Sequence, residues 1–172
     1  MWKALHYFIC KAFYFIALLS RCETTISNSC NSYKFVQQII YMASIFSKII
    51  SGEISSYKIA ENEKFYAFLD IFPSAYGHTL VVPKIEVDRL FDLPTAYLDG
   101  MLTFAQPIAK AIQQAFGCDR VNIVTIGFEV PHAHIHLLPM NGMSDMNALS
   151  KKMKVTPEEL KAVQEKIIAH LH

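Results

Sequence analysis

Between positions 132 and 136 the chain reads His-Ala-His-Ile-His, and Leu137, Leu138 and Pro139 follow. No other stretch narrows the possible folds as much. The alternation has a period of two, the period of an extended strand, so His132, His134 and His136 share one face while Ala133 and Ile135 share the other. Neighbouring histidines on such a face stand about 7 Å apart, near enough to serve one small anion or one metal ion. A single histidine in apolar surroundings is usually structural. Three in register are hard to explain by packing, because each carries a donor and an acceptor that burial would have to satisfy.

The chain has 172 residues, which suits one domain with an appendage. Residues 1–41 hold Lys3, Lys11, Arg21 and Lys34 against Glu23 alone, whereas the remainder is weakly acidic. A weakly acidic body without a basic run is poorly equipped to grip a nucleic-acid backbone, so no nucleic-acid partner is expected. Three of the four cysteines, Cys10, Cys22 and Cys30, lie in that leader; Cys118 alone lies in the body. One cysteine cannot form an internal disulfide, which suits a reducing, cytoplasmic setting. The apolar run from Tyr7 to Leu19 is interrupted by Lys11 and is short for a bilayer span, so no membrane contact is expected. Met42 precedes a well-formed domain start. The leader, 1–41, therefore reads as a disordered extension or an upstream-start artefact, with an export signal as the alternative, and the domain as 42–172.

Within the domain, Ser44–Gly52 reads as a short helix with Ser44 as its cap, Gly52 as its stop and Ile45, Phe46, Ile49 and Ile50 on one face. Ser56–Ala60 and Phe65–Leu69 read as strands around a polar turn, and His78–Pro83 as a third. Pro94–Phe116 carries the longest helical pattern, with Leu98, Met101, Leu102, Ala105, Ile108, Ala109 and Ile112 facing the sheet and Pro107 expected to kink or break it. Arg120–Ile126 and His132–Pro139 supply two more strands. Met140–Val155 reads as a loop. Thr156-Pro157-Glu158-Glu159 is a capping box that opens a final helix, to about residue 171. The expectation is an α+β fold, an antiparallel sheet of about five strands with a long helix packed on it.

Imidazole can act as nucleophile, acid, base or anion ligand near neutral pH. A histidine that attacks phosphorus forms a phosphoramidate that water can cleave. Its attacking nitrogen must be unprotonated, and neighbours must hold the phosphoryl oxygens. Three histidines on one face meet both needs, the middle ring attacking. The competing use is a metal site on the same three rings, with Glu129 or His78 as further ligands.

Gly-His-Thr-Leu-Val-Val-Pro-Lys at 77–84 and Glu-Val-Pro-His-Ala-His-Ile-His-Leu-Leu-Pro at 129–139 resemble the two signature blocks of the histidine triad (HIT) family in its Hint-like branch. Ile45–Ile54 resembles that branch's opening, and Ala67–Ile71 the approach to the first block, so the likeness runs over 45–139. It implies a HIT-like fold and a hydrolase or transferase that cleaves nucleoside 5′-phosphoramidates or related nucleotides at the α-phosphate through a covalent nucleotidyl-histidine. His134 would attack, His132 would orient it through its backbone carbonyl, and His136 would hold a phosphate oxygen. For substrate binding the resemblance implies His78 near the phosphate, Asp70 on the ribose hydroxyls and Ile71 against the nucleoside. Glu129 and Val130 lie just ahead of the triad, and Phe46, Ile49, Ile54 and Phe68 would line the base slot. A turn-capping role is the rival for Asp70, and ordinary core the rival for the apolar residues. The implied partners are a purine nucleotide and a second copy of the chain in a homodimer, with no cofactor.

Three departures stand out. Gly127-Phe128-Glu129 occupies the place of a polar Gly-Gln-Ser or Gly-Gln-Glu, and Phe128 has no hydrogen to donate. The asparagine-rich loop is shortened to Val124–Gly127. Ser44 and Ser47 stand near the place where some relatives have cysteines that help hold structural zinc. The first two departures keep open a nucleotide-binding module with little catalysis, and a dinucleoside polyphosphate hydrolase stays open because related branches share the triad.

Overall fold

The run Phe65-Tyr66-Ala67-Phe68-Leu69 is apolar at every position, and the next strand, Thr79-Leu80-Val81-Val82-Pro83, is nearly so. Such strands demand cover on both faces. In the computed structural model, which describes residues 43–171, both lie in the middle of one five-stranded sheet. The expectations for the leader and for Met42 concern residues outside that range. The strands are β1 (Lys58–Glu61), β2 (Phe65–Leu69), β3 (Thr79–Pro83), β4 (Arg120–Val124) and β5 (Ile135–Met140), in the spatial order β1-β2-β3-β5-β4. Every neighbouring pair is antiparallel, as the sequence predicts. The β1–β2 turn is set by Asn62, whose Oδ1 accepts from the amides of Lys64 and Phe65 at 2.9 and 2.7 Å.

Helix α1 (Ile45–Ile50) precedes the sheet, α2 (Thr95–Phe116) joins β3 to β4, and α3 (Pro157–Ile168) follows β5. The two faces of the sheet hold separate apolar clusters. Phe65, Ala67, Leu69, Val81, Ile135 and Leu137 face α2 and α3, whose Met101, Ile108, Ile112 and Ile167 are at most 1% exposed. Burying each such side chain contributes about 1.5–3 kcal/mol. Tyr66, Phe68, Leu80 and Val82 face the other way and pack with Phe46 of α1.

Pro107 does not break α2, which runs unbroken for 22 residues. Pro107 is exposed, so its ring and its missing N–H fall on the solvent side. Leu102 is exposed rather than sheet-facing, and Ala111 and Ala115 complete the buried stripe instead. In α1, Ile45 is likewise half exposed while Phe46 is buried. The stretch Met143–Ser150, expected to be a loop, forms 3-10 turns. The capping box at Thr156 is present with both of its hydrogen bonds.

β5 begins at Ile135, so His132, in a bend, and His134 lie in the lead-in and His136 alone lies in the strand. The alternation survives the change: Ala133 and Ile135 join the α2-facing core, and the histidines take the opposite side. Lead-in residues escape the ladder because other groups take their amides. The His132 amide donates to the Val130 carbonyl at 2.8 Å and the Ala133 amide to the Val87 carbonyl at 2.6 Å.

Candidate active site

His132 is fully buried and both of its ring nitrogens are engaged. Nε2 lies 2.9 Å from the Pro83 carbonyl and Nδ1 2.8 Å from the Ser44 hydroxyl. A carbonyl only accepts, so Nε2 carries the hydrogen and Nδ1 of the neutral ring accepts from Ser44. Burial pushes the His132 pKa down, against an opposing effect of the Pro83 hydrogen bond. With both nitrogens occupied, His132 has none left for a metal, which removes the reading in which all three rings ligate one ion.

The backbone carbonyl of His132 accepts a hydrogen bond of 2.6 Å from His134 Nδ1. That bond places the hydrogen on Nδ1, so the neutral ring keeps a lone pair on Nε2, the form a nucleophile needs. The His134 ring rests edge-on against Phe46 at 5.2 Å and against His136 at 5.0 Å between centroids. Thr125 Oγ1 donates to the His134 carbonyl at 3.0 Å and holds the backbone.

His136 continues the pattern through a different partner. Its Nδ1 lies 2.8 Å from Nε2 of His78, whose own Nδ1 accepts from the Ser74 amide at 3.2 Å. An amide hydrogen at one end therefore orders the pair. His78 carries its hydrogen on Nε2 and gives it to His136 Nδ1, which leaves His136 with its hydrogen on Nε2. Burial, then the nearby His78 and His134, lowers the His136 pKa to about 4. Burial likewise lowers the His78 pKa, opposed by Asp70. Both rings are thus neutral at pH 7. The site presents a lone pair on His134 beside an N–H on His136.

Asp70 divides its carboxylate. Oδ1 accepts from the Phe72 amide at 2.8 Å, the turn-capping role raised as its rival, while Oδ2 stands 3.6 Å from His78 Nδ1. Asp70, His78 and His136 can each offer one ligand atom within 4.8 Å of the others, so a metal-binding set would draw on these residues. Gly77 sets up this corner. Its φ is +92°, and a Cβ there would meet the Phe116 ring at 2.7 Å.

Among the apolar candidates, Phe46, Phe68, Ile49 and Val130 gather in one cluster, with the Phe46 and Phe68 rings 5.6 Å apart. Ile54 and Ile71 lie on the surface instead, 37% and 53% exposed. Ile54 follows the turn after α1 and Ile71 opens the loop after β2, so neither lies within a strand or helix. Glu129 is exposed and pairs with Lys152 at 3.3 Å, and Phe128 is 98% exposed. Residues not anticipated at the site are Ser44 as a partner of His132, Ser74 on His78, Thr125 on His134, and Lys152, whose charge disfavours protonation of His78. Ser44 and Lys152 come from segments distant in sequence, whereas Ser74 and Thr125 lie four and nine residues from their partners with no local motif to mark them.

The HIT domain model matches residues 51–143, more than half of the chain. The chain belongs to the HIT family. It is 44% identical over 102 residues to the adenosine 5′-monophosphoramidase HNT1 of Saccharomyces cerevisiae, an alignment that spans 56% of this chain and 62% of that protein, under two thirds of its length. It is 33% identical over 132 residues to the adenosine 5′-monophosphoramidase hnt1 of Schizosaccharomyces pombe, covering 73% of this chain and 96% of the other. Among solved structures, a Hit-like protein from Bartonella henselae superposes with a TM-score of 0.65 at 33% identity, covering 74% of this chain and 96% of its own. A zinc-bound histidine triad family protein from Mycobacterium smegmatis gives 0.64 at 32% identity, covering 76% and 94%. The α+β architecture with its five-stranded antiparallel sheet is that of these HIT proteins.

Proposed function

We propose that this HIT protein hydrolyses nucleoside 5′-phosphoramidates at the α-phosphate. The observation that carries the reading is the pairing of opposite proton states: a lone pair on His134 Nε2 and, 5.0 Å away between ring centroids, an N–H on His136. The names of the two yeast relatives point to the same reaction.

In this reading His134 Nε2 forms a bond to phosphorus as the P–N bond to the leaving amine breaks. His136 Nε2–H holds a phosphoryl oxygen, and the departing nitrogen takes its proton from solvent. Water then attacks the phosphorus, the P–Nε2 bond breaks, the proton lost by that water passes to solvent, and the nucleoside monophosphate leaves. His132 keeps the attacking ring in its Nδ1–H form. Phe46, Phe68, Ile49 and Val130 line the base slot, with Asp70 on the ribose and a purine as the base.

The N–H of His136 supplies a hydrogen bond to phosphate that the Phe128 side chain cannot. A homodimer belongs to the same reading; among the described residues β4 is an edge strand of the sheet, which a second copy could extend. So does a cytoplasmic setting.

The test is incubation of the full chain with adenosine 5′-phosphoramidate, with the monophosphate as expected product and a nucleotidyl adduct trapped on His134. His134→Asn should remove both. A folded protein that turns over no nucleotide in a panel including dinucleoside polyphosphates, yet binds monophosphate tightly, would replace this proposal with a binding module.

A further inference from the structure

Beside the direct contact of Phe46 with His134, a second tie between α1 and the reacting histidine runs through the helix cap. Ser44 Oγ accepts from the Ser47 amide at 3.1 Å, which caps α1, and the same oxygen meets His132 Nδ1 at 2.8 Å. The Ser44 amide donates to a carboxylate oxygen of Glu86, and the Ser47 hydroxyl stands 3.2 Å from that of Ser44. Ser44 and its contact with His132 are both buried. One hydroxyl therefore has its acceptor side used by the helix and its hydrogen directed at the ring.

We infer that Ser44 is a positioning residue for the nucleophile, acting through His132. The Ser44 hydrogen bond and the Pro83 carbonyl hold the His132 ring at both ends, so the ring cannot rotate or exchange tautomers. The fixed ring fixes its own backbone, and the carbonyl of that backbone accepts from His134 Nδ1. Two links thus run from the cap of α1 to the tautomer of His134.

This corner offers two neutral hydroxyls, a carboxylate already taken by a backbone amide, and a histidine with both nitrogens bonded. That donor set does not suit zinc, which takes thiolate, imidazole or carboxylate ligands. Hydrogen bonding does the bracing instead.

The inference rests on the proposed reaction, and its test separates the two. Ser44→Gly removes the hydroxyl with its contacts to His132 and Ser47, and glycine as a cap costs the helix only a few tenths of a kcal/mol. It should lower kcat on adenosine 5′-phosphoramidate roughly tenfold, the effect of one lost orienting hydrogen bond. KM should stay within about twofold, because Phe46 and Ile49 remain on a capped helix. Nitrogen-15 NMR should find His134 in the Nδ1–H form in the wild type and mixed in Ser44→Gly. Ser44→Thr, which keeps a hydroxyl, should recover both; where its extra methyl does not fit, Ser44→Asn supplies a cap oxygen and an N–H.

If Ser44→Gly keeps kcat within about twofold, or raises KM while the His134 signals stay unchanged, Ser44 is only a helix cap and the inference falls. If the wild type turns over nothing, the proposed reaction falls, and the NMR comparison alone still decides whether Ser44 sets the tautomer.

Discussion

Acidification offers a direct measure of the neutral histidine pair. His136 has a pKa of about 4 in the fold, against an ordinary value of 6.5. A lowered histidine pKa means the unfolded chain takes up a proton at a pH where the folded one does not, so stability falls as pH falls from 6.5 towards 4. Above 6.5 neither state is protonated and the group is silent. For these two values, protonation of the unfolded state at pH 5 costs about 2 kcal/mol relative to pH 7. The carboxylates whose pKa is lowered, Glu61 and Glu159, start from 4.5 and act at more acid pH, so the window from 7 to 5 belongs to histidines. His78 and His132 are lowered too and act in the same direction. The assay is urea unfolding of wild type and His136→Gln at pH 7 and pH 5. Wild type should lose more stability than the variant over that interval, by about 2 kcal/mol. Equal losses in the two proteins would mean that His136 is not held neutral by burial, and the proton-ordering argument at the site would fail with it.

Other consequences follow from individual contacts. Gly77→Ala forces a side chain into a left-handed backbone and against the Phe116 ring, so it should cost about 2–4 kcal/mol in thermal or urea unfolding. The same variant should reduce turnover, because His78 follows Gly77 directly. Asp70→Ala should raise KM for nucleoside substrates more than it lowers kcat, measured by steady-state kinetics with ribose and 2′-deoxyribose forms; equal losses would place its role in the Phe72 turn. Ile112→Ala removes a side chain with no exposed surface from beneath the sheet and should cost about 2–5 kcal/mol in urea unfolding, with KM unchanged.

The spacing of residues determined a good deal without tertiary information. A period of two placed His132, His134 and His136 opposite Ala133 and Ile135, because side chains of extended backbone alternate whether or not a ladder forms. Thr156-Pro157-Glu158-Glu159 marked the start of α3, since a capping box closes within four residues. The signature blocks at 77–84 and 129–139 pointed to a family that the match over 51–143 bears out. What the sequence could not determine was contact between distant segments. Pro107 was expected to disturb α2, and only the packing of that helix showed that the proline falls on its wet side. The resemblance implied Ile54 at the base slot and Ile71 against the nucleoside, but that both side chains are exposed in the fold was not legible from the sequence. The proton order of the histidines was decided wholly in three dimensions. Which nitrogen of an imidazole bears hydrogen depends on the group opposite it; Ser44 and Pro83 reach His132 only when the chain closes, and Ser74 reaches His78 through the local loop.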